Sequence, residues 1–263
     1  MNAAGPARLE IVVPARDEAG RLPAGLAALG GALAALGVPA AVIVVDNGSV
    51  DGTADLVRDG AWPVPVRVLE CARRGKGAAV RTGLLATRAP YVGFCDADMA
   101  TGLDALGGVL ELLRAGRPVV VGSRRHPASV VEDYSSPLRK LGAVTFNRAI
   151  RDLAGGVSDT QCGFKFFAGP LARAAAADLR TDGFAFDVEL LMHCARRGAE
   201  ITPVPVVWRD VPGSTFSVRR HSLEILRDLL RIRRAAPRRM PRPVPAAQPA
   251  VLALAERSEP QRA

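Results

Sequence analysis

Lysine is nearly absent from this chain: Lys76, Lys140 and Lys165 are the only three among 35 lysine and arginine residues. Arginine carries the rest, as a GC-rich genome would produce. The chain has no run of 18 or more apolar residues, which excludes a membrane-spanning helix. Its start, Met1 to Pro6, lacks a basic region followed by an apolar one, so no secretory signal is read there. Cys71, Cys95, Cys162 and Cys194 are scattered without paired metal spacing. They read as reduced, buried thiols in a cytosolic protein. His126, His193 and His221 form no ligand pattern. Neither a Gly-x-Ser-x-Gly elbow nor a Cys/His nucleophile arrangement occurs. No internal repeat is found.

What is present bounds the answer further. With 263 residues and 49% apolar content, the chain buries a full core as one large domain or two small ones. Its net charge of +9 is uneven: nine arginines between Arg219 and Arg242 face only Glu224 and Asp228, so about +7 sits there. Such an end suits a polyanionic surface, either lipid headgroups or nucleic acid.

Short apolar runs alternate with helical patterns. Arg8 to Val13, Ala41 to Val45, Val66 to Leu69 and Tyr91 to Cys95 read as strands. Leucines at 22, 26, 29, 33 and 36 give helical spacing over Arg21 to Leu36, with Pro23 in the first turn. Further helices are expected from Asp51, over Gly75 to Thr87 and over Leu103 to Arg114. Beyond them come a strand at Val119 to Gly122, a loop, and a helix over about Leu138 to Leu153. A strand through Phe167, helices over Pro170 to Leu179 and Asp187 to Arg197, and a strand from Ile201 to Trp208 follow. The rhythm is that of a doubly wound, mostly parallel α/β sheet. Residues 1–7 are expected to be flexible, 8–218 to form one domain, 219–236 a basic amphipathic helix, and 237–263 a disordered tail rich in Pro, Ala and Arg.

In such a sheet, ligands bind beyond the carboxyl ends of the strands. Three of those ends are polar here: PARDE (Pro14 to Glu18), DNGS (Asp46 to Ser49) and DAD (Asp96 to Asp98). If strand geometry persists, Asp96 and Asp98 face one side and crowd two negative charges together. A hard divalent cation held by oxygen ligands would relieve them, although a solvated turn before a helix also explains the pair. A turn and helix cap account for Gly48, Ser49 and Asp51 but not for Asp46, whose carboxylate could accept hydrogen bonds from a base or ribose. The RRGKGA stretch at Arg73 to Ala78 opens a helix whose N–H groups favour phosphate, although it lacks the P-loop spacing. DTQCGFK, Asp159 to Lys165, gathers an acid, an amide and a base. Asp187 and Glu189 lie in a helix's first turn, where the dipole alone would favour them.

Taken in order, these motifs resemble those of the family 2 glycosyltransferases with the GT-A fold, over about residues 8 to 234. VVPARDE resembles the family's first-strand nucleotide motif. VVDNGSVDGT resembles its VVDDGSxDGT, and RGKGAAVR its GKGxAVRxG. DAD is similar to its DxD. The DTQCGFK, FDVEL and RDLLRIR stretches resemble the members that glucosylate polyprenyl phosphates. The resemblance implies that Pro14, Ala15, Arg16, Glu18 and Asp46 hold the nucleotide of a nucleotide-sugar donor. Lys76, Asp96 and Ala97 would lie near nucleotide or sugar. Asp98 would bind Mg²⁺ or Mn²⁺, and Asp96, Asp98, Asp159 and Asp187 would form the catalytic set. Gln161, Lys165 and Arg209 would meet the acceptor phosphate. Three departures stand out: Asn47 replaces the second Asp of VVDD, Met99-Ala100 follow the DxD, and Gly213-Ser-Thr215 lacks the usual lysine.

The resemblance implies inverting transfer of glucose from UDP-glucose onto a polyprenyl phosphate. The site would be cytoplasmic, peripheral to the inner face of an anionic membrane. A soluble or glycan acceptor, and a donor such as GDP-mannose, remain open. Nucleic-acid binding is disfavoured, because the arginine stretch lacks interleaved aromatics and the reading leaves Asp96 and Asp98 unexplained. Oligomeric state is not legible.

Overall fold

A computed structural model describes residues 8–132, 153–209, 211 and 218–236. The expected N-terminal segment, the tail, most of the helix at 138–153 and the Gly213-Ser-Thr215 departure lie outside the described residues.

Among the described residues, seven strands form the main sheet: β1 (Leu9–Ala15), β2 (Ala40–Asp46), β3 (Val66–Glu70), β4 (Tyr91–Cys95), β5 (Val119–Gly122), β7 (Phe164–Ala168) and β8 (Ile201–Val204). Their order is β3-β2-β1-β4-β7-β5-β8, and β7 runs antiparallel to both neighbours while the other pairings are parallel. The helices are α1 (Leu22–Ala35), α2 (Thr53–Asp59), α3 (Lys76–Ala86), α4 (Leu106–Arg114, after a 3-10 turn), α5 (Gly169–Asp178), α6 (Phe186–Arg196) and α7 (Val218–Ala235).

Strands β1, β2 and β5 are runs rich in β-branched residues and buried on both faces, as a covered parallel sheet requires. Alternation divides their side chains between two cores. Ile11, Val13, Val42 and Val44 pack with Leu22, Leu26, Leu29 and Leu33 of α1. Val12, Ile43, Val45 and Phe94 face α3, α5 and α6 on the other side. Each fully buried leucine of α1 contributes about 1.5–3 kcal/mol. Pro14, which has no N–H, lies past the end of the β1–β4 pairing at Val12 and Phe94.

Two expectations fail. The single last strand divides at Pro205-Val206 into β8 and β9 (Val207–Arg209): Pro205 has no N–H to donate, and Val206 gives its N–H to Ser129 Oγ and accepts the Val130 N–H, which turns the chain toward Val130. β9 pairs instead with β6 (Val130–Glu132), a short strand in a stretch read as loop. The basic helix is present as α7, and it packs Ile232 and Leu229 against Val188 and Met192 of α6.

Candidate active site

The carboxyl ends of β1, β2 and β4 meet at one edge of the sheet. The loops after β1 and β2 are tied together by backbone-to-side-chain hydrogen bonds. Asp17 N–H donates to Ser49 Oγ (3.0 Å), Val50 N–H to Asp17 Oδ1 (2.9 Å), Glu18 N–H to Thr53 Oγ1 (2.9 Å) and Ala19 N–H to Asp51 Oδ2 (2.9 Å). The VDGT stretch therefore fastens two loops as well as opening α2, and Gly52 rather than Asp51 occupies the cap position.

Asp46 ends β2 and is buried. Its Oδ2 accepts the N–H groups of Gly48 and Ser49, both at 3.2 Å. Its Oδ1 has no hydrogen-bond partner among the described residues. A buried carboxylate oxygen left open calls for an external donor. Beside it lies an open groove of about 510 Å³ whose wall includes Ser49, Thr53, Glu70 and Cys71.

Asn47 is only 5% exposed and spends its amide on the chain itself. Its Nδ2 donates to Cys71 O (3.1 Å) and Arg73 O (2.7 Å), while its Oδ1 accepts the Gly75 N–H (2.8 Å). It thereby clamps the loop that delivers Lys76. That loop sits close under residues 181–182: a Cβ on Gly75 would come within 2.2 Å of the Asp182 carbonyl oxygen. The same carbonyl accepts the N–H groups of Gly77 (2.7 Å) and Ala78 (3.2 Å). These helix-opening N–H groups, read from the sequence as phosphate ligands, are spent inside the protein.

Strand β4 stops at Cys95, so the alternation argument does not reach Asp98. A turn follows, closed by Met99 N–H onto Asp96 O (3.1 Å), with Met99 at φ 47°. Antiparallel β7 runs alongside and places Gly163 beside Asp96, where any Cβ would come within 2.1 Å of the carboxyl group. Lys76 Nζ lies 2.6 Å from Asp96 Oδ1. Asp98 Oδ1 accepts the Ala100 N–H (3.1 Å). Burial, and after it the neighbouring Asp96, raise the Asp98 carboxyl above its ordinary range. This crowded, oxygen-only pair fits a hard divalent cation. Among the described residues, no group of three or more His, Cys, Asp or Glu could enclose an ion. The donor set therefore suits Mg²⁺ or Mn²⁺ that takes its other ligands from a diphosphate and water.

The remaining nominated residues divide. Pro14, Ala15 and Ala97 are buried in the floor, and Arg16 is exposed beside Asp17. Both oxygens of Glu18 are held by Arg21, each contact at 2.7 Å. Asp159 is buried and clasped by Arg124, whose Nε, Nη2 and backbone N–H all donate at 2.8–2.9 Å. Burial pushes its carboxyl up, but the Arg124 guanidinium outweighs this and holds it below the ordinary range. Lys165 is fully buried: its Nζ contacts Cys162 O and Asp187 Oδ1, each at 2.5 Å, and lies 5.1 Å from the Phe94 ring centroid. It does not reach a phosphate in the cleft, because β7 turns it into the core opposite Phe94. Gln161 Nε2 is buried with no partner among the described residues. Arg209 pairs with Glu132 at 2.6 Å and donates its N–H to Ala100 O, next to the Asp98 turn.

Two arginines were missed from the sequence. Arg124 follows β5, so the strand-end rule applied there would have found it. Arg21 acts electrostatically on Asp98, and its spacing from Glu18 was the available signal.

The sequence profile of glycosyl transferase family 2 matches residues 10–169. A dolichyl-phosphate beta-glucosyltransferase of Dictyostelium discoideum is 32% identical over 243 residues, covering 86% of this chain and 73% of that one. One from Trichomonas vaginalis is 35% identical over 186 residues, covering 67% and 55%. This chain thus spans little more than half of the Trichomonas relative and about three quarters of the Dictyostelium one. Among solved structures, glucosyl-3-phosphoglycerate synthase from Mycobacterium tuberculosis, in complex with UDP, superposes with TM-score 0.65 at 21% identity, covering 88% of this chain and 81% of that one. Mannosyl-3-phosphoglycerate synthase from Rubrobacter xylanophilus gives 0.62 at 20% identity, covering 87% and 74%. The chain belongs to glycosyl transferase family 2 and has the GT-A fold.

Proposed function

We propose that the chain transfers glucose from UDP-glucose, with inversion, onto a polyprenyl phosphate at an anionic membrane surface. The observation that carries this reading is the turn after β4, where Asp98 stands beside an Asp96 already met by Lys76. The relatives named as dolichyl-phosphate beta-glucosyltransferases support the donor and acceptor.

In this reading the open Oδ1 of Asp46 accepts an N–H from the uracil ring. Asp98 would hold Mg²⁺ or Mn²⁺, whose charge offsets that gathering on the leaving diphosphate. Lys76 adds a second positive charge on the same side. An oxygen of the acceptor phosphate attacks C1 of glucose, forming the C1–O bond as the bond to the β-phosphate oxygen breaks. That nucleophile is already anionic near neutral pH, so no strong general base is required. Asp159 and Asp187, each committed to a cation, orient the site rather than remove a proton.

Among the described residues, no helix is long and apolar enough to cross a membrane. α7 supplies a different contact. Leu226 and Leu230 are 54% and 46% exposed, with exposed Arg227, Arg231, Arg233 and Arg234 around them, while Ile232 is buried against α6. A helix of this kind lies in the headgroup plane, apolar side down.

The test uses radiolabelled UDP-glucose, Mn²⁺ and polyprenyl phosphate in anionic vesicles, with GDP-mannose and 3-phosphoglycerate as competing donor and acceptor. A solvent-extractable glucolipid is expected. Transfer to 3-phosphoglycerate but to no lipid would replace the reading with a soluble-acceptor enzyme. Vesicle flotation of Leu226→Glu/Leu230→Glu tests the surface, since it leaves Ile232 in place. Binding equal to wild type would remove α7 from the membrane contact.

A further inference from the structure

We propose that Lys165 and Asp187 are positioning residues: a buried ion pair that fixes the Lys76 ammonium against Asp96 at the floor of the donor site. Neither acceptor-phosphate binding by Lys165 nor proton removal by Asp187 fits their surroundings. The Lys165 side chain is 0% exposed and that of Asp187 is 4% exposed. The Lys165 ammonium already meets a carbonyl, a carboxylate and an aromatic face.

The arrangement follows from topology. β7 enters the sheet in the reverse direction, so Gly163 comes beside Asp96 and Lys165 comes opposite Phe94. α6 begins at Phe186 and brings Asp187 onto Lys165. The segment just before α6 lies over the start of α3, with Asp182 O accepting the Gly77 and Ala78 N–H groups. The starts of α3 and α6, which carry Lys76 and Asp187, therefore pack together: a Cβ on Gly77 would come within 2.6 Å of the Phe186 Cβ. The Lys76 ammonium meets Asp96 at 2.6 Å and feels the charge of Asp187 from the other side of that contact between helix starts. The charges alternate from core to cleft as Lys165, Asp187, Lys76, Asp96.

A buried ion pair is a poor way to fill a core, since apolar residues of similar size often do as well or better for stability. What apolar residues cannot do is hold a neighbouring ammonium. The Lys76–Asp96 contact is partly exposed, with side chains 23% and 30% accessible, and such contacts restrain a flexible lysine weakly. Asp187 supplies the second anchor; burial raises its carboxyl above the ordinary range, and Lys165 opposes that rise and holds the carboxylate in place.

The scarcity of lysine makes this measurable. Lysine labelled at Cε gives three resonances, from Lys76, Lys140 and Lys165. Lys76→Arg assigns one of them. The test variant is Lys165→Met/Asp187→Leu, which removes the pair without stranding either charge. In the wild type the Lys76 Cε should show restricted fast motion. In the double variant it should move freely and shift toward the position of a solvent-exposed lysine. If the glucosyl-transfer reading on which the assay rests holds, kcat should fall by about tenfold or more, with the UDP-glucose KM changed by less than about threefold. A folded double variant with an ordered Lys76 and wild-type kcat would overturn the proposal. If that variant does not fold, Asp187→Asn, which keeps the shape, is read the same way: increased Lys76 motion supports the proposal and unchanged motion overturns it. A wild type that glucosylates no lipid would sink the proposed activity and leave the Lys76 comparison intact.

Discussion

The two halves of the cleft are built on different logic. In the first, parallel β1, β2 and β4 all deliver their carboxyl ends to one edge, and their polar residues keep capacity for a ligand: Asp46 Oδ1 is open, and Asp98 is crowded rather than neutralised. In the second, antiparallel β7 reverses the direction. The residue leading into it, Gly163, comes beside Asp96, while Lys165, within the strand, is turned into the core. There the polar residues are paired internally, Asp159 with Arg124 and Asp187 with Lys165. Parallel strands place chemistry at their ends, where it can be read along the chain. A reversed strand places it by cross-strand partners, which the chain does not announce.

The largest effect that would break this contrast belongs to Asp98. Asp98→Asn keeps the size and the hydrogen bond to Ala100 but removes the charge that would hold a divalent cation. Transfer should fall by about 10³-fold, on the order of 4 kcal/mol. The melting temperature should stay within a few degrees, because the lost charge was an unfavourable, crowded one. Activity assays with a Mn²⁺ titration check this; full activity at ordinary Mn²⁺ would show that the first half does not carry the metal.

That asymmetry also explains what the sequence made legible. The alternating strands and helices, the both-sided apolar strands and the leucine stripe of α1 announced the doubly wound sheet. Asp46 stood out because it ends β2, and Asp98 because it follows closely on the end of β4. The antiparallel sense of β7 was not legible, since FKFF is equally apolar in either direction and pairing is a tertiary choice. Without it, Lys165 looked like a ligand and Arg124 did not. Asp96 and Asp98 do come together, but through a turn with Met99 at positive φ and not through strand alternation. That turn lacks the Gly or Asn that would have signalled it.

A second break falls on the internally paired half. Arg124→Met leaves the Asp159 carboxyl buried without its guanidinium, a loss of about 3 kcal/mol at neutral pH. The pH dependence has a definite sign. In the wild type the Asp159 pKa is depressed, so its contribution is full above the ordinary carboxylate range, near pH 4, and is lost as pH falls through the lower folded value. In the variant, burial is still opposed by the backbone N–H of residue 124 and by Lys165, but the carboxyl loses most of what held it below the ordinary range. Thermal unfolding should show a gap of several degrees at pH 7 that narrows below about pH 4. A gap of constant size would mean that the ion pair is not its source.

The smallest effect sharpens the boundary between the halves, because it concerns a residue at a parallel strand end that nevertheless serves an internal role. Asn47 stands where the family's motif has Asp, and Asn47→Asp would restore that motif. The geometry predicts harm. An aspartate can still accept the Gly75 N–H, but it cannot donate to Cys71 O or Arg73 O and presents a carboxylate oxygen to both carbonyls. The loss should be about 1–3 kcal/mol of stability. Because the clamped loop carries Lys76, the change should act on kcat about as much as on kcat/KM, by roughly tenfold, with little change in UDP affinity. Asn47→Ala, which loses the bonds without adding repulsion, should be milder in both respects. If Asn47→Asp instead tightens UDP binding, Asn47 faces the nucleotide like its neighbour Asp46, and the strand-end rule holds without exception in the first half.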